Sequence, residues 1–327
     1  MVDELTLVDA VRLALAREMS DDESVIVMGE DVGVDGGVFR ATDGLAARFG
    51  NDRVIDLPLS ESMFVGLAVG LAAQGFRPVV EYQFMGFLYP GLDQLANHAS
   101  RLRNRTRGRL TSPIVVRAPY GGGVHAPEHH SESFEAMPAH IPGLRVVIPS
   151  SPATAYGLLL AAIRDPDPVV FLEPKRLYRA TREQVVDDGA ALPLDRASIV
   201  RRGDDLTIVS WGASMVEARA AADRLDDEGV SCEVIDLTTI KPIDAPTILD
   251  SVARTGRCVI VHEAPRTGGV GAEIAAILAD EGLTSLLAPV RRVTGYDTVM
   301  PMFRTEQHYL PDVDRIVDAV RGALEFA

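Results

Sequence analysis

The sequence predicts an α/β protein of two doubly wound domains, each a largely parallel sheet covered by helices. Two observations carry this. Short β-branched, apolar runs alternate with helix-length runs from one end to the other. The alternation loosens once, between Arg179 and Asp205, into charges, Pro and Gly, and then resumes. The boundaries that follow are a first domain over 1–185, a linker over 186–203 and a second domain over 204–327. A chain of 327 residues is long enough for both cores.

The N-terminal "MVDELTLVDAVRLALAREM" starts acidic and has the spacing of an amphipathic helix, not of a signal peptide. "SVIVMGEDVG" is a short buried strand ending in a turn. "DRVIDLPLSES" is a second strand, followed by the helix "SMFVGLAVGLAAQG" that Gly75 stops. "RPVVEYQF" is a strand, "YPGLDQLANHASRLRNRT" a helix, and "SPIVVRAPYGGG" a strand entering a glycine loop. "LRVVIPSS" and "DPVVFLEP" are strands on either side of the helix "PATAYGLLLAAIRD". In the second series, "DLTIVSWG", "VSCEVIDL", "RCVIVHEA" and "APVRRVTG" are the strands. "ASMVEARAAADRLDDEG", "GGVGAEIAAILADEG" and "VDRIVDAVRGALE" are the helices.

A net charge of -15 opposes binding to nucleic acid, since a polyanion would meet a repulsive field. Apolar runs such as "FVGLAVGLAA" reach about half of a membrane span. Two cysteines, Cys232 and Cys258, make neither a disulfide framework nor a zinc spacing. These readings place the chain in the cytoplasm, away from membranes.

Parallel sheets bind ligands at the carboxyl ends of their strands, so chemistry is expected in the loops that leave them. There is no phosphate-binding G-x-x-x-x-G-K-[ST], "GGVGAE" is not G-x-G-x-x-G, and no G-x-S-x-G elbow exists. The loop "GGGVHAPEHHSESFEA" gathers His125, His129 and His130 with Glu128 and Glu132. Three readings stay open: zinc ligands, a solvated polar loop, or an acid/base loop at a sheet edge. Pro127 keeps a regular helix from presenting His125 and His129 on one face, which weakens the zinc reading. Glu61, in "LPLSESMFVG", sits where strand becomes helix; it is either a helix-start acid on the macrodipole or a working carboxylate.

Taken together, "GEDVG", "LPLSES", "EYQFMGFLYPGLDQLANHASRLRNR", "HHSES", "PGLRVVIPSSP", "DPVVFLEPKRLYR", "VIDLTTIKPID" and "HEAPRTGG" run in order over nearly the whole chain. In these segments the sequence resembles the beta chains of 2-oxo acid dehydrogenase decarboxylases, the thiamine-diphosphate components of pyruvate and branched-chain 2-oxo acid dehydrogenase complexes. The resemblance implies a pyrimidine-type thiamine-diphosphate-binding domain followed by a transketolase C-terminal-like domain. It implies that Glu61 is the carboxylate on the pyrimidine ring, which promotes the ylide that attacks the 2-oxo acid. His130 matches the family's active-site histidine, and His129 would line the pocket. Phe87 would pack on the aminopyrimidine, with Leu59 and Gln83 near the same ring.

The diphosphate-binding G-D-G and the Asn pair that follows it in thiamine enzymes are both missing. The resemblance therefore implies that magnesium and diphosphate are held by an alpha chain, in an alpha2–beta2 tetramer that passes its acyl group to a lipoyl acyltransferase core. The acidic surface would suit a basic domain of that core. It also implies a potassium ion near "AAIRDPDP", with Asp165 as side-chain ligand. "HEAPRTGG" and "VTGYDTVMP" look closer to the branched-chain members, so 2-oxoisovalerate is the expected substrate, with pyruvate and acetoin members as alternatives. The competing classes are a single-chain transketolase-like enzyme and a non-catalytic scaffold subunit.

Overall fold

A computed structural model describes residues 2–326. The chain divides into two compact units. The first holds the residues up to Tyr120 together with Met137–Leu194; the second holds Gly121–Ala136 together with the residues from Asp195 onward.

In the first unit the strands Arg145–Val147, Val169–Pro174, Val115–Tyr120, Arg77–Glu81, Val25–Gly29 and Val54–Asp56 lie side by side in that order, every pair parallel. Val25–Gly29, Val115–Tyr120 and Val169–Pro174 are buried along their whole length. That burial on both faces is why they read as largely apolar runs and not as alternation, with Arg117 and Glu173 as the charged exceptions. The helices Leu7–Asp21 and Pro152–Arg164 pack on each other. Each starts at a side-chain cap: Thr6 accepts from the Asp9 N–H, and Ser151 forms a reciprocal box with Thr154 ahead of Pro152. Val2–Leu5 pairs antiparallel with Glu183–Val186 as a separate ribbon.

Two elements differ from the sequence reading. The strand expected over "DRVIDLPLSES" is only Val54–Asp56, because Leu57 donates once more to Gly29 and Pro58 has no N–H to continue the ladder. The helix expected over "YPGLDQLANHASRLRNRT" is broken into a 3₁₀ turn at Met85–Gly91, the helix Leu92–Asn97, a turn at Ala99–Arg101 and the helix Leu102–Arg105. Side chains take the carbonyls that a continuous helix would use: Ser100 Oγ and Arg101 Nε both donate to the Ala96 oxygen, at 3.0 and 2.8 Å.

At the centre of the first sheet Arg117 is fully buried. Its Nε and Nη2 donate to Glu173 at 2.6 and 3.0 Å, and its Nη1 donates to Glu81 at 2.7 Å. The bidentate fork matches the Glu173 carboxylate, and the one guanidinium is shared with Glu81, whose carboxyl burial pushes up.

The second unit has the strand order Arg291–Gly295, Cys258–Pro265, Leu206–Ser210, Cys232–Asp236, Ser198–Arg201. The first four are mutually parallel and the last is an antiparallel edge. The helices Met215–Asp226 and Val313–Leu324 bury Met215, Ala218, Ala222, Ile316, Val317 and Val320 against this sheet. The edge strand falls inside 186–203, the stretch read as a linker. Its charge hides it, since Arg201 pairs with Asp223 and Asp226 on the solvent side of the edge. The helix Ala245–Thr255, with Asp244 as cap and Gly256 as left-handed stop, is a further element that the alternation alone does not reveal. Cys232 and Cys258 are free and buried, in the strands on either side of Leu206–Ser210, and burial pushes both thiols up to about 12, far from a reactive thiolate.

Candidate active site

In the first unit, three strands end at one edge. Gly29 lies opposite both Asp56 and Glu81, so the segments beginning at Glu30, Leu57 and Tyr82 leave the sheet together. This brings Leu59, Glu61, Gln83 and Phe87 to the carboxyl edge, where a parallel sheet binds ligands. Glu61 is the first residue of the helix Glu61–Ala73, at the positive end of its dipole, and is half-buried. Its carbonyl accepts a 2.7 Å hydrogen bond from Tyr82 Oη. A Cβ on Gly91 would lie 2.3 Å from that hydroxyl, so glycine is what lets the tyrosine reach. Burial, then the charges of Glu61 and Glu30, push the Tyr82 phenol up, which keeps it a donor.

Glu30 is the residue that sequence reasoning missed. It is 5% exposed, and its Oε1 has no hydrogen-bond partner among the described residues. Burial, then the charges of Glu61 and Asp31, push it up to about 7. The available signal was an acid placed directly after a fully buried strand, in "GEDVG". Around this pair the surface is apolar and uncovered: Leu59 is 80% exposed. Phe87 and Gln83 are half-buried, and Phe87 meets Phe84 edge-on at 5.7 Å between ring centroids. Phe84 in turn meets Phe39 at 5.5 Å.

Asp165 caps the end of Pro152–Arg164. Its carboxylate lies 2.9 Å from Arg145 and accepts from the Asp167 N–H, while the carbonyls of Ile163 and Asp165 accept from Arg77. These oxygens thus already accept from two guanidiniums and one backbone N–H. Among the described residues no group of three or more His, Cys, Asp or Glu side chains is placed to hold a metal.

The histidine loop belongs to the second unit. Gly121, at φ +85°, has no room for a side chain: a Cβ would stand 1.9 Å from Glu263 Oε1. His129 and His130 share a 3₁₀ turn, Glu128–His130, in which His130 N–H donates to Pro127 at 2.9 Å. His129 is exposed and His130 half-buried. Behind the turn, Ser133 Oγ donates to Glu263 at 2.7 Å and Trp211 Nε1 donates to Glu135 at 3.3 Å. Glu135 is fully buried and is pushed up to about 8, chiefly by burial and further by Glu263, against its own backbone N–H and Trp211. The loop is thus a histidine turn with acids buried under it.

Comparison with known proteins gives two family matches: "Transketolase, pyrimidine binding domain" over residues 3–181, and "Transketolase, C-terminal domain" over 195–316. The chain is 48% identical over 323 residues to the Pyruvate dehydrogenase E1 component subunit beta of Bacillus subtilis, covering 99% of each. The proteins of the same name from Staphylococcus epidermidis and Staphylococcus aureus are 47% and 46% identical, again over 99% of each chain. A solved structure, a split-gene transketolase described as an inactive beta4 tetramer, superposes with a TM-score of 0.81 at 23% identity, over 99% of both chains, and shows the shared fold. The expected α/β architecture of pyrimidine-binding and C-terminal domains therefore holds, and the chain belongs to the family of E1 component beta subunits built on the transketolase fold.

Proposed function

We propose that this chain is the beta subunit of a thiamine-diphosphate-dependent 2-oxo acid dehydrogenase decarboxylase in the cytoplasm. Glu61 carries the reading: a half-buried carboxylate at a helix start, on the ligand-binding edge of a parallel sheet, beside Glu30 with its orphaned oxygen. These residues fit the cofactor's pyrimidine end. Glu61 would hold the ring nitrogen's proton, and Leu59, Gln83 and Phe87 would face the ring. When bound, the cofactor supplies the nucleophile and electron sink for decarboxylation. Glu30, at about 7, exchanges a proton readily at neutral pH and adjusts the field on Glu61. His130, with His129 beside it, would move a proton during acyl transfer to a lipoyl group of the acyltransferase core.

A partner chain is part of this reading. Met63 and Leu67, at 38% and 39% exposed, leave an apolar face on the helix Glu61–Ala73 that an alpha subunit would cover. Such a chain would also supply the magnesium and diphosphate ligands missing here. The relatives named above support pyruvate as the substrate, and nothing in them supports the branched-chain acid expected from "HEAPRTGG" and "VTGYDTVMP".

The test is thiamine-dependent decarboxylation by the chain assembled with its alpha partner, using an artificial electron acceptor, with pyruvate and 2-oxoisovalerate compared. Activity is expected only in the assembly, with pyruvate preferred, and Glu61→Gln should lower the rate by about 10²- to 10⁴-fold. A preference for 2-oxoisovalerate would restore the branched-chain assignment. An assembly inactive on both acids, or a fully active Glu61→Gln, would overturn the reading.

A further inference from the structure

We infer that Glu306 is the positioning residue of the histidine loop. The inference deepens the proposed function and rests on it for its kinetic part. Glu306 is 1% exposed, yet it lies in the short helix Glu306–Tyr309, far along the sequence from the loop it touches. Its Oε1 accepts the Gly123 N–H at 2.6 Å and its Oε2 accepts the His125 N–H at 3.0 Å. Two backbone N–H groups, two residues apart and converging on one carboxylate, form a small anion-binding concavity. The backbone is bent to achieve this: Gly123 and His125 have φ of +85° and +56°. A left-handed histidine is uncommon, and the carboxylate that receives its N–H gives the conformation a cause.

The clamp is held from both sides. A Cβ on Gly122 would stand 2.7 Å from Met300 and 3.2 Å from Glu306 Oε1, so the loop closes against the segment carrying the acid. Met300, Tyr309 and Leu310 form a buried apolar cluster there. Arg315, from the core helix Val313–Leu324, donates to the carbonyls of Tyr309 and Leu310 and lies 4.8 Å from the Tyr296 ring centre. Rigid helix, Arg315, Glu306 and loop amides therefore form one continuous chain of support. The turn bearing His129 and His130 begins three residues beyond the second clamped amide. A charged acceptor is needed because the loop is otherwise exposed: Val124, His125 and Pro127 all face solvent.

Amide exchange tests the clamp without any activity. In the assembled protein the amides of Gly123 and His125 should exchange slowly despite the exposed loop, and Glu306→Gln should speed exchange in the peptide over 121–130 alone. Rapid exchange in the unsubstituted protein overturns the inference, and that result needs no variant to fold. In kinetics, Glu306→Gln should lower kcat for lipoyl-dependent acyl transfer about ten- to a hundredfold, the value of a charge-assisted hydrogen bond. KM for the 2-oxo acid and cofactor affinity should stay unchanged. Unchanged kcat with a loosened loop would overturn the positioning role. A general loss of cofactor affinity and melting temperature would also overturn it, in favour of a merely structural acid. An unsubstituted assembly that lacks activity would count against the proposed function, while the exchange result would still decide whether the clamp exists.

Discussion

Glu135 offers a sharp test, because it touches the only tryptophan of the chain. Its carboxyl is raised from 4.5 to about 8. At 1.36 kcal/mol per pKa unit this corresponds to about 5 kcal/mol of preference for the neutral form in the folded state. The folded value lies above the unfolded one, so the stabilising contribution is full below about 4.5 and is lost as pH rises through about 8. Replacing Glu135 by Gln removes the titration and keeps an acceptor for Trp211 Nε1. The assay is the fluorescence difference between the two proteins across pH 4 to 9, with melting curves at each pH. The unsubstituted protein should show a transition centred near 8 that the variant lacks, and the variant should become the more stable by several degrees at the alkaline end. Superimposable curves, or a transition near the ordinary carboxylate range, would refute the burial argument.

Arg117→Met would strand Glu81 and Glu173 in the core and should cost about 3–5 kcal/mol, read as a lower denaturation midpoint. Gly121→Ala forces a side chain into a +85° backbone and against Glu263, so lipoyl-dependent activity should fall at least tenfold while the first unit's melting stays unchanged, a strain of order 1–3 kcal/mol. Glu30→Gln should remove the inflection near 7 from the pH–rate profile, and the stability that Glu30 loses as pH rises through 7 should become flat.

The sequence made the fold legible wherever a strand was buried on both faces, as at Val25–Gly29 and Val169–Pro174, because such strands are apolar nearly throughout, Glu173 being an exception that its pairing with Arg117 permits. It hid Ser198–Arg201 because an edge strand keeps its charges in water. It also hid the breaks near Ala99, which depend on side chains capturing helix carbonyls and leave no periodic trace. At the site, Glu61 and the histidines were visible as chemistry-bearing residues in loops after strands. Glu30, Glu135 and Glu306 were not, since an acid in a loop reads as solvated until its burial is known. Asp165 is the converse: it stood out in the sequence, but the structure has already answered it with Arg145.

Charge compensation separates two kinds of buried glutamate. Glu18, Glu81, Glu173 and Glu233 are buried, and each has an arginine against it: Arg164, Arg117 for two of them, and Arg202 with Arg254. Glu30, Glu135, Glu263 and Glu306 are equally buried, and among the described residues none is paired with an arginine or lysine. An uncompensated buried carboxyl costs several kcal/mol or gives up its charge, so a fold does not keep four of them for packing alone. All four lie at the sheet edge carrying Glu61 or behind the histidine turn. Two are pushed to about 7 and about 8, where a proton is exchanged at little cost near neutral pH, and a third spends its charge on loop amides. The paired glutamates hold the fold; the unpaired ones stand where the proposed chemistry would manage protons and loop geometry.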